Sequence, residues 1–306
     1  MEALRACGLR VWFDASAIET FEGIQGSIER GLAQSRALVA WYSQAYPQSL
    51  ACQWELTWAF VRGQLEGDPR RRVMVVNPEA ADGHIQPVEL RDALYRRAPR
   101  DPAELASLAR AVVSGLERAP GVLAEIAAEA TPAWFGAAAG DGSNRFFGRL
   151  AELWAIHSGL WASDVPVITN VQSRPLVRLI GIGGAGKSLL AETYAIRFAA
   201  AYPGGVVWLR AFGHDVESVM TAADRKAQLE AQVLDLAFVR GLPTAELDPR
   251  QVREALGALL SAGPPYLWVV DDLPSDLSWA DAQAWLAPSA RSARSRSFRP
   301  RHRCSR

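Results

Sequence analysis

Residues 181–188 read Gly-Ile-Gly-Gly-Ala-Gly-Lys-Ser and fit the pattern G-x-x-x-x-G-K-[ST]. This pattern predicts a strand, a glycine-rich turn and a helix in direct succession, because glycine lets backbone N–H groups approach phosphates closely. Lys187 is expected to reach the β- and γ-phosphates of a nucleotide, and Ser188 to coordinate Mg²⁺. Lys187 and Lys226 are the only lysines among 33 basic residues. The predicted nucleotide-binding residues of this loop are Gly181, Gly183, Gly184, Ala185, Gly186, Lys187 and Ser188.

The same peptide also contains G-x-G-x-x-G, the pattern of dinucleotide-binding folds. That interpretation requires an acidic residue about 20 positions later, at the end of the next strand. The next apolar run, 206–209, ends instead in Arg210. The run at 265–270 ends in Asp271 and Asp272, as expected of a Walker B strand that follows a phosphate-binding loop. We expect Asp271 to hold Mg²⁺ and Asp272 to act catalytically by orienting water or sensing the γ-phosphate. The alternative is that Asp271 and Asp272 only form a turn at the end of the strand and have no role toward a nucleotide.

Bulk composition sets broad limits on the chain. Its 306 residues suggest about two domains. The formal net charge of zero provides no overall field that would attract nucleic acid or a membrane surface. Three widely spaced cysteines, Cys7, Cys52 and Cys304, favour a reducing compartment over a disulfide framework or a zinc site. With no signal peptide or long apolar segment in the sequence, a cytoplasmic protein is expected.

Short apolar runs alternate with helical patterns and predict an α/β chain with parallel sheets. Strands are predicted at 9–13, 37–42, 72–76, 176–180, 206–209 and 265–271, and helices at 24–32, 49–65, 101–116, 148–161, 188–201, 221–240 and 249–261. Ser49 and Asp101 are the predicted helix caps. The predicted organisation is a domain at 1–118, a linker at 119–144, a second domain at 145–288 and a disordered tail at 289–306. The tail has seven arginines and no acidic residue; binding of nucleic acid is the functional alternative to a solvated tail.

Several short segments in the first 117 or so residues match one family in order and spacing. These segments are Gly8–Asp14, Ile24–Ser35, Ser49–Leu56, Val73–Val76 and Ile85–Pro87. Ser-Leu-Ala-Cys-Gln-Trp-Glu-Leu at 49–56 is similar to that family's Ser-x-Trp-Cys-x-x-Glu-Leu. The region resembles a TIR domain, which has a flavodoxin-like fold. The resemblance implies assembly with other TIR domains or, as in some members, cleavage of NAD by the helix glutamate, here Glu55.

A fixed carboxylate suits that reaction, because loss of nicotinamide leaves an oxocarbenium-like sugar whose charge a carboxylate stabilises. Trp54 and Trp58 are expected to form an apolar wall for a flat base. The alternative for Glu55 is a surface glutamate within a helix ion-pair network that involves Arg62. The resemblance also implies a strand and a helix before Gly8 that this sequence lacks, so the first sheet is expected to miss a central strand.

Residues 145–288 carry a second resemblance. Its segments are Phe147–Arg149, the loop at 181–188, Tyr202–Leu209 and Asp271–Asp272. They resemble the STAND branch of P-loop ATPases, the NB-ARC-like switches. The resemblance implies that Arg149 approaches the nucleotide and that exchange of ADP for ATP releases an assembly surface. The sensor strand expected after Asp272 is not in the sequence, so this sheet too is expected to lack a central strand.

Together these observations predict two three-layer α/β domains with parallel sheets, a flavodoxin-like TIR domain followed by a P-loop NTPase core. The functional hypothesis is a TIR–STAND signalling protein in which ATP or ADP with Mg²⁺ controls NAD cleavage or self-assembly. Three alternatives stay open: a non-catalytic TIR adaptor, a simple P-loop ATPase, and an inactive truncated gene product. Loss of NAD that depends on Glu55 would separate the first hypothesis from the adaptor.

Overall fold

The computed structural model describes residues 1–13, 30–91, 95–126, 133–136, 149–161, 176–182, 184–213, 220–274, 277 and 279–288. The chain divides into two compact units. The first comprises Met1–Pro132 and Ala139–Pro203, and the second comprises Ala133–Ala138 and Gly204–Arg306. The domain boundaries drawn from the sequence stay predictions.

A parallel sheet forms the centre of the first unit. Its strands are β1 (Leu38–Trp41), β2 (Val73–Asn77) and β3 (Arg96–Arg97), in that order across the sheet. The helices of this unit are α1 (Glu2–Ala6), α2 (Leu50–Leu65), α3 (Val88–Arg91), α4 (Pro102–Glu117), α5 (Leu123–Ile126), α6 (Leu150–Trp161) and α7 (Lys187–Arg197). The first helix after β1, α2, buries Leu56, Ala59 and Phe60 on one face. The helix also buries Gln53, Thr57, Val61 and Arg62, so it is enclosed on more than one face.

Both predicted helix caps are confirmed. The Ser49 hydroxyl accepts a hydrogen bond from the Cys52 N–H at 3.3 Å at the start of α2. The Asp101 carboxylate accepts one from the Glu104 N–H at 2.8 Å at the start of α4. Each bond satisfies a donor that the first helical turn leaves without a partner in the helix.

The second unit contains a separate parallel sheet. Its strands are β4 (Trp134–Gly136), β5 (Val206–Arg210) and β6 (Leu267–Asp271), with β5 in the middle, and its helices are α8 (Ala222–Val239), α9 (Pro249–Ala262) and α10 (Trp279–Trp285). Four of the five β5 residues are buried, as expected of a central parallel strand. Trp134–Gly136 lies inside the segment interpreted as a linker, yet it forms a paired strand.

Two predicted strands are wrong. Residues 9–13 and 176–180 form no strand, and the side chains of Leu176 and Ile180 are 58% and 81% exposed. An apolar run becomes a strand only where a neighbouring strand can pair with it, and the run alone does not reveal that neighbour. The predicted helix at 24–32 lies largely outside the described residues, of which 30–33 are helical. The arginine-rich tail also lies outside them.

The α/β class is confirmed as two small parallel sheets of three strands among the described residues. The three-layer arrangement and the P-loop core stay predictions.

Candidate functional site

Glu55 lies in the second turn of α2 and is half-buried. A short 3₁₀ turn, Tyr46–Gln48, connects β1 to this helix. Because α2 begins directly after that turn, its first turns lie close in sequence to the carboxyl end of β1. In open parallel sheets, ligands bind in the crevice outside the carboxyl ends of the strands.

Two tyrosines follow β1. Tyr42 is fully buried, and its ring centroid lies 4.3 Å from that of Tyr46. The Tyr42 hydroxyl donates to the Gln86 carbonyl at 2.7 Å and accepts from the Gln86 N–H at 3.1 Å. Burial raises the pKa of the Tyr42 phenol. These bonds fix the loop at residue 86 against the end of β1.

Tyr46 is the residue that connects this cluster to Glu55. Its hydroxyl is buried and has no hydrogen-bond partner in the part of the chain that the structure describes. Burial, followed by electrostatic interactions with Cys52 and Glu55, raises the pKa of Tyr46 well above its usual value. The phenol therefore stays protonated at neutral pH. A buried donor without a partner costs about 1–3 kcal/mol, so its presence requires an explanation.

The loop after β2 completes the same edge of the sheet. The Asn77 amide donates to the Ala81 carbonyl at 2.8 Å and accepts from the Glu79 N–H at 2.8 Å. His84 Nε2 lies 3.0 Å from the Tyr42 carbonyl oxygen. We call Tyr42, Tyr46, Cys52, Glu55 and His84 the carboxyl-edge site.

The two tryptophans that were expected to form an apolar wall, Trp54 and Trp58, each lie close to an arginine. The Arg62 guanidinium lies over the Trp58 ring, 3.1 Å from its centroid, and Arg197 lies 5.8 Å from the Trp54 ring centroid. Arg62 is only 2% exposed and therefore does not lie on the surface, where the sequence suggested an ion-pair network. Sequence reasoning missed Tyr42, although its place directly after a predicted strand was a usable signal.

The comparison with known families identifies the region that holds this site. Residues 1–109 match the family model described as TIR domain. Residues 1–109 are thus similar to TIR domains. No curated protein and no solved structure matches the chain. The TIR match covers the whole first sheet, α2 and every residue of the carboxyl-edge site.

The predicted phosphate-binding loop lies after the TIR domain but in the same compact unit. Gly184 and Gly186 have φ angles of +74° and +75°, which favour glycine, and α7 begins at Lys187 as the motif requires. Lys187 Nζ donates to the carbonyls of Gly181 and Ile182, both at 2.9 Å. Ser188 is exposed at the start of α7. Gly183 lies outside the described residues.

Arg149 lies beside this loop. One of its guanidinium nitrogens is 3.9 Å from the position that a Cβ atom would take on Gly186. The structure thus places Arg149 beside the loop, whereas its approach to a nucleotide stays a prediction. With Lys187, this places two cationic side chains at the amino-terminal end of α7.

Asp271 and Asp272 belong to the second compact unit, whereas the loop belongs to the first. Asp271 ends β6, and one of its carboxylate oxygens accepts from the Asp272 N–H at 2.9 Å. Asp272 has a left-handed φ of +59°. No group of three metal-ligating side chains occurs among the described residues. Their predicted roles toward Mg²⁺ and water therefore stay predictions.

Within the described ranges, no helix is long and apolar enough to cross a membrane.

Proposed function

We propose that the TIR domain hydrolyses NAD at the bond between nicotinamide and ribose, with Glu55 as the catalytic carboxylate. The observation that carries the proposal is the half-buried Glu55 carboxylate in the second turn of α2, within the region that matches the TIR domain model. The carboxylate supplies fixed negative charge, which stabilises a sugar that becomes cationic during the reaction.

The chemistry balances without a further reactant. The bond between C1′ and the nicotinamide nitrogen breaks, and its electron pair leaves with nicotinamide. Water then adds to C1′ and releases a proton, which gives ADP-ribose. The Glu55 carboxylate stabilises the developing positive charge on the ribose, and partial burial reduces screening of that interaction by water.

The test compares nicotinamide release by the full chain with release by Glu55→Gln, which keeps the shape of the side chain but removes its charge. We expect a loss of about 100-fold or more, the size seen when one group that stabilises charge in a transition state is removed. Glu117→Gln is the matched control, since Glu117 is exposed at the end of α4 in the same unit. Equal turnover by Glu55→Gln and Glu117→Gln would refute the role of Glu55.

A non-catalytic adaptor is the second candidate for the TIR domain. Val39 and Trp41 occupy the same face of β1 and are 37% and 54% exposed. Exposed apolar side chains on one strand suit contact with another TIR domain. Absence of NAD turnover, together with self-association in sedimentation velocity, would favour this function over hydrolysis.

We also propose that the loop at 181–188 binds ATP or ADP and that its occupancy controls the TIR domain. Two features support binding: the left-handed glycines before α7 and the adjacent Arg149 guanidinium. Control is supported by the packing of α6 and α7 on α2 within one unit. Trp154 Nε1 of α6 donates to Gln53 Oε1 of α2 at 2.9 Å, two residues from Glu55.

Nucleotide binding is tested by titrating a fluorescent ATP analogue in the presence of Mg²⁺. Lys187→Ala should weaken binding about tenfold or more, because a cationic partner of the phosphates is lost. Lys226→Ala is the control, since Lys226 is the other lysine of the chain and lies on α8 in the second unit. Unchanged affinity in Lys187→Ala would argue against the loop as a nucleotide site.

A further inference from the structure

A cavity of about 770 Å³ lies in the second unit among α8, α9 and α10. Its volume is within the range of about 300–1,000 Å³ that is common for small-molecule sites. No residue of the carboxyl-edge site or of the loop at 181–188 lines it. It therefore needs an explanation separate from the two proposed functions.

The inner wall of this cavity is apolar. Leu229 and Val233 of α8 contribute to it, as do Val252 of α9 and Trp285 of α10. All four residues are buried and also belong to the core of the unit. Such a wall is suited to hydrocarbon or to an uncharged ring, because both leave water without losing hydrogen bonds.

Two half-buried arginines, Arg225 and Arg253, provide charge beside the apolar wall. Arg225 donates to the Met220 carbonyl at 2.9 Å, and its buried Nε has no hydrogen-bond partner in the described part of the chain. Arg253 donates to the Leu286 carbonyl at 2.6 Å. Neither guanidinium forms an ion pair with a described residue.

The other charged groups of the lining are more nearly balanced. Lys226 Nζ lies 3.8 Å from Glu230, and Arg250 lies 3.2 Å from Glu254. Asp281 is the remaining carboxylate in the wall. The lining thus contains four cationic and two acidic side chains. The lining therefore has two more positive than negative side chains. Arg225 and Arg253 are the two lining cations that have no carboxylate partner among the described residues.

We propose that this cavity binds an apolar molecule that carries one anionic group, such as a long-chain carboxylate or an alkyl phosphate. The anionic group contacts Arg225 and Arg253, whose guanidinium groups each have five N–H donors and use few of them within the protein. The hydrocarbon portion covers the wall formed by Leu229, Val233 and Trp285. An uncharged alcohol would leave the arginines unused, and a nucleotide would place polar groups against the apolar wall.

The first experiment titrates the full chain with dansyl-undecanoic acid and follows the dansyl fluorescence. Dodecanoate, dodecyl phosphate and dodecanol, which share one chain length, are then used to displace this probe. Both anions should displace it at least about tenfold more effectively than dodecanol, because each forms charge-assisted hydrogen bonds with the arginines. The stronger of the two anions identifies carboxylate or phosphate as the preferred group. Failure of the probe to bind, or equal displacement by dodecanol, would overturn the proposal.

Variants locate the site. Arg225→Met and Arg253→Met retain much of the apolar stem of the side chain and should each weaken dodecanoate binding about tenfold. Arg110→Met is the control, since Arg110 is exposed on α4 in the first unit. Ala284→Trp fills part of the cavity from an exposed position on α10, so it tests the site without removing a buried arginine. Full affinity in Ala284→Trp, with a circular dichroism spectrum like that of the parent, would contradict this location.

Discussion

At the scale of single residues, His157 is a buried histidine that the structure keeps neutral. Burial lowers its pKa to about 3. Its ring stacks on Phe198 with centroids 4.3 Å apart. His157 Nε2 lies 2.7 Å from Gln64 Oε1, and Nδ1 lies 3.0 Å from the Tyr194 hydroxyl. A neutral ring with its proton on Nε2 donates to Gln64 and accepts from Tyr194, which satisfies both contacts.

This histidine predicts how stability depends on pH. Below pH 6.5 the unfolded chain binds a proton at His157 that the folded chain does not bind until about pH 3. The free energy of unfolding should therefore fall as pH is lowered through this window, by at most about 1.4 kcal/mol per pH unit from this group. Urea denaturation at several pH values measures the slope. His157→Phe should show a shallower slope over the same window, and an unchanged slope would count against the histidine.

Some residues of interest could be predicted from the sequence, and others could not. The role of Glu55 stays a prediction; it could be made from a local motif because the family pattern itself contains the glutamate. Tyr42 and His157 were not predicted as functional or structural centres, because their environment is built from segments distant in the sequence. His157, for example, meets Gln64 of α2 and Tyr194 of α7. A scattered histidine in the sequence gives no sign of such neighbours.

At the scale of elements, Arg72 connects several parts of the first unit just before β2. Its buried guanidinium donates to both carboxylate oxygens of Glu66, at 2.5 and 2.6 Å, near the end of α2. It also donates to the carbonyls of Arg36, Pro120 and Gly121. The hydrogen bonds with Arg72 lower the pKa of Glu66. One side chain thus joins the segment before β1, the end of α2 and the turn after α4.

Replacing Arg72 by Met should destabilise the protein by about 3–5 kcal/mol, because Glu66 and three carbonyls would lose a buried partner. Arg70→Met is the matched control. Arg70 pairs with Asp68 in the same turn, but its side chain is 54% exposed. Removing an exposed pair should cost less than about 1 kcal/mol. Chemical denaturation of both variants measures the difference, and equal effects would show that Arg72 has no special role.

Elements with local signals were predicted well. The α2 and α4 helices carry their caps and apolar stripes in their own sequence, and both form as expected. The strand predicted at 176–180 had an apolar run of the right length but no pairing partner that local sequence could supply. The opposite error occurred at Trp134–Gly136, where a short segment in a small-residue region pairs with β5. Pairing between distant strands decides both cases, and no local pattern records it.

At the scale of the whole molecule, the compact units differ from the order of motifs along the chain. The loop at 181–188 shares a unit with the TIR domain, whereas Asp271 and Asp272 lie in the other unit. The motifs alone suggested that these segments belong together in residues 145–288. Sequence order could not assign these segments to a unit, because that assignment depends on long-range packing.

The strand β4 has a consequence for dividing the chain into fragments. Between Gly136 of β4 and Val206 of β5 the chain passes through α6 and α7 of the first unit. The second sheet is therefore completed by a contact of high sequence separation, a kind that slows folding. A fragment that starts at Gly204 would omit β4 and expose the edge of β5, including the N–H of Val206 that bonds to the Ala133 carbonyl. Such an open edge favours strand pairing between molecules and hence aggregation.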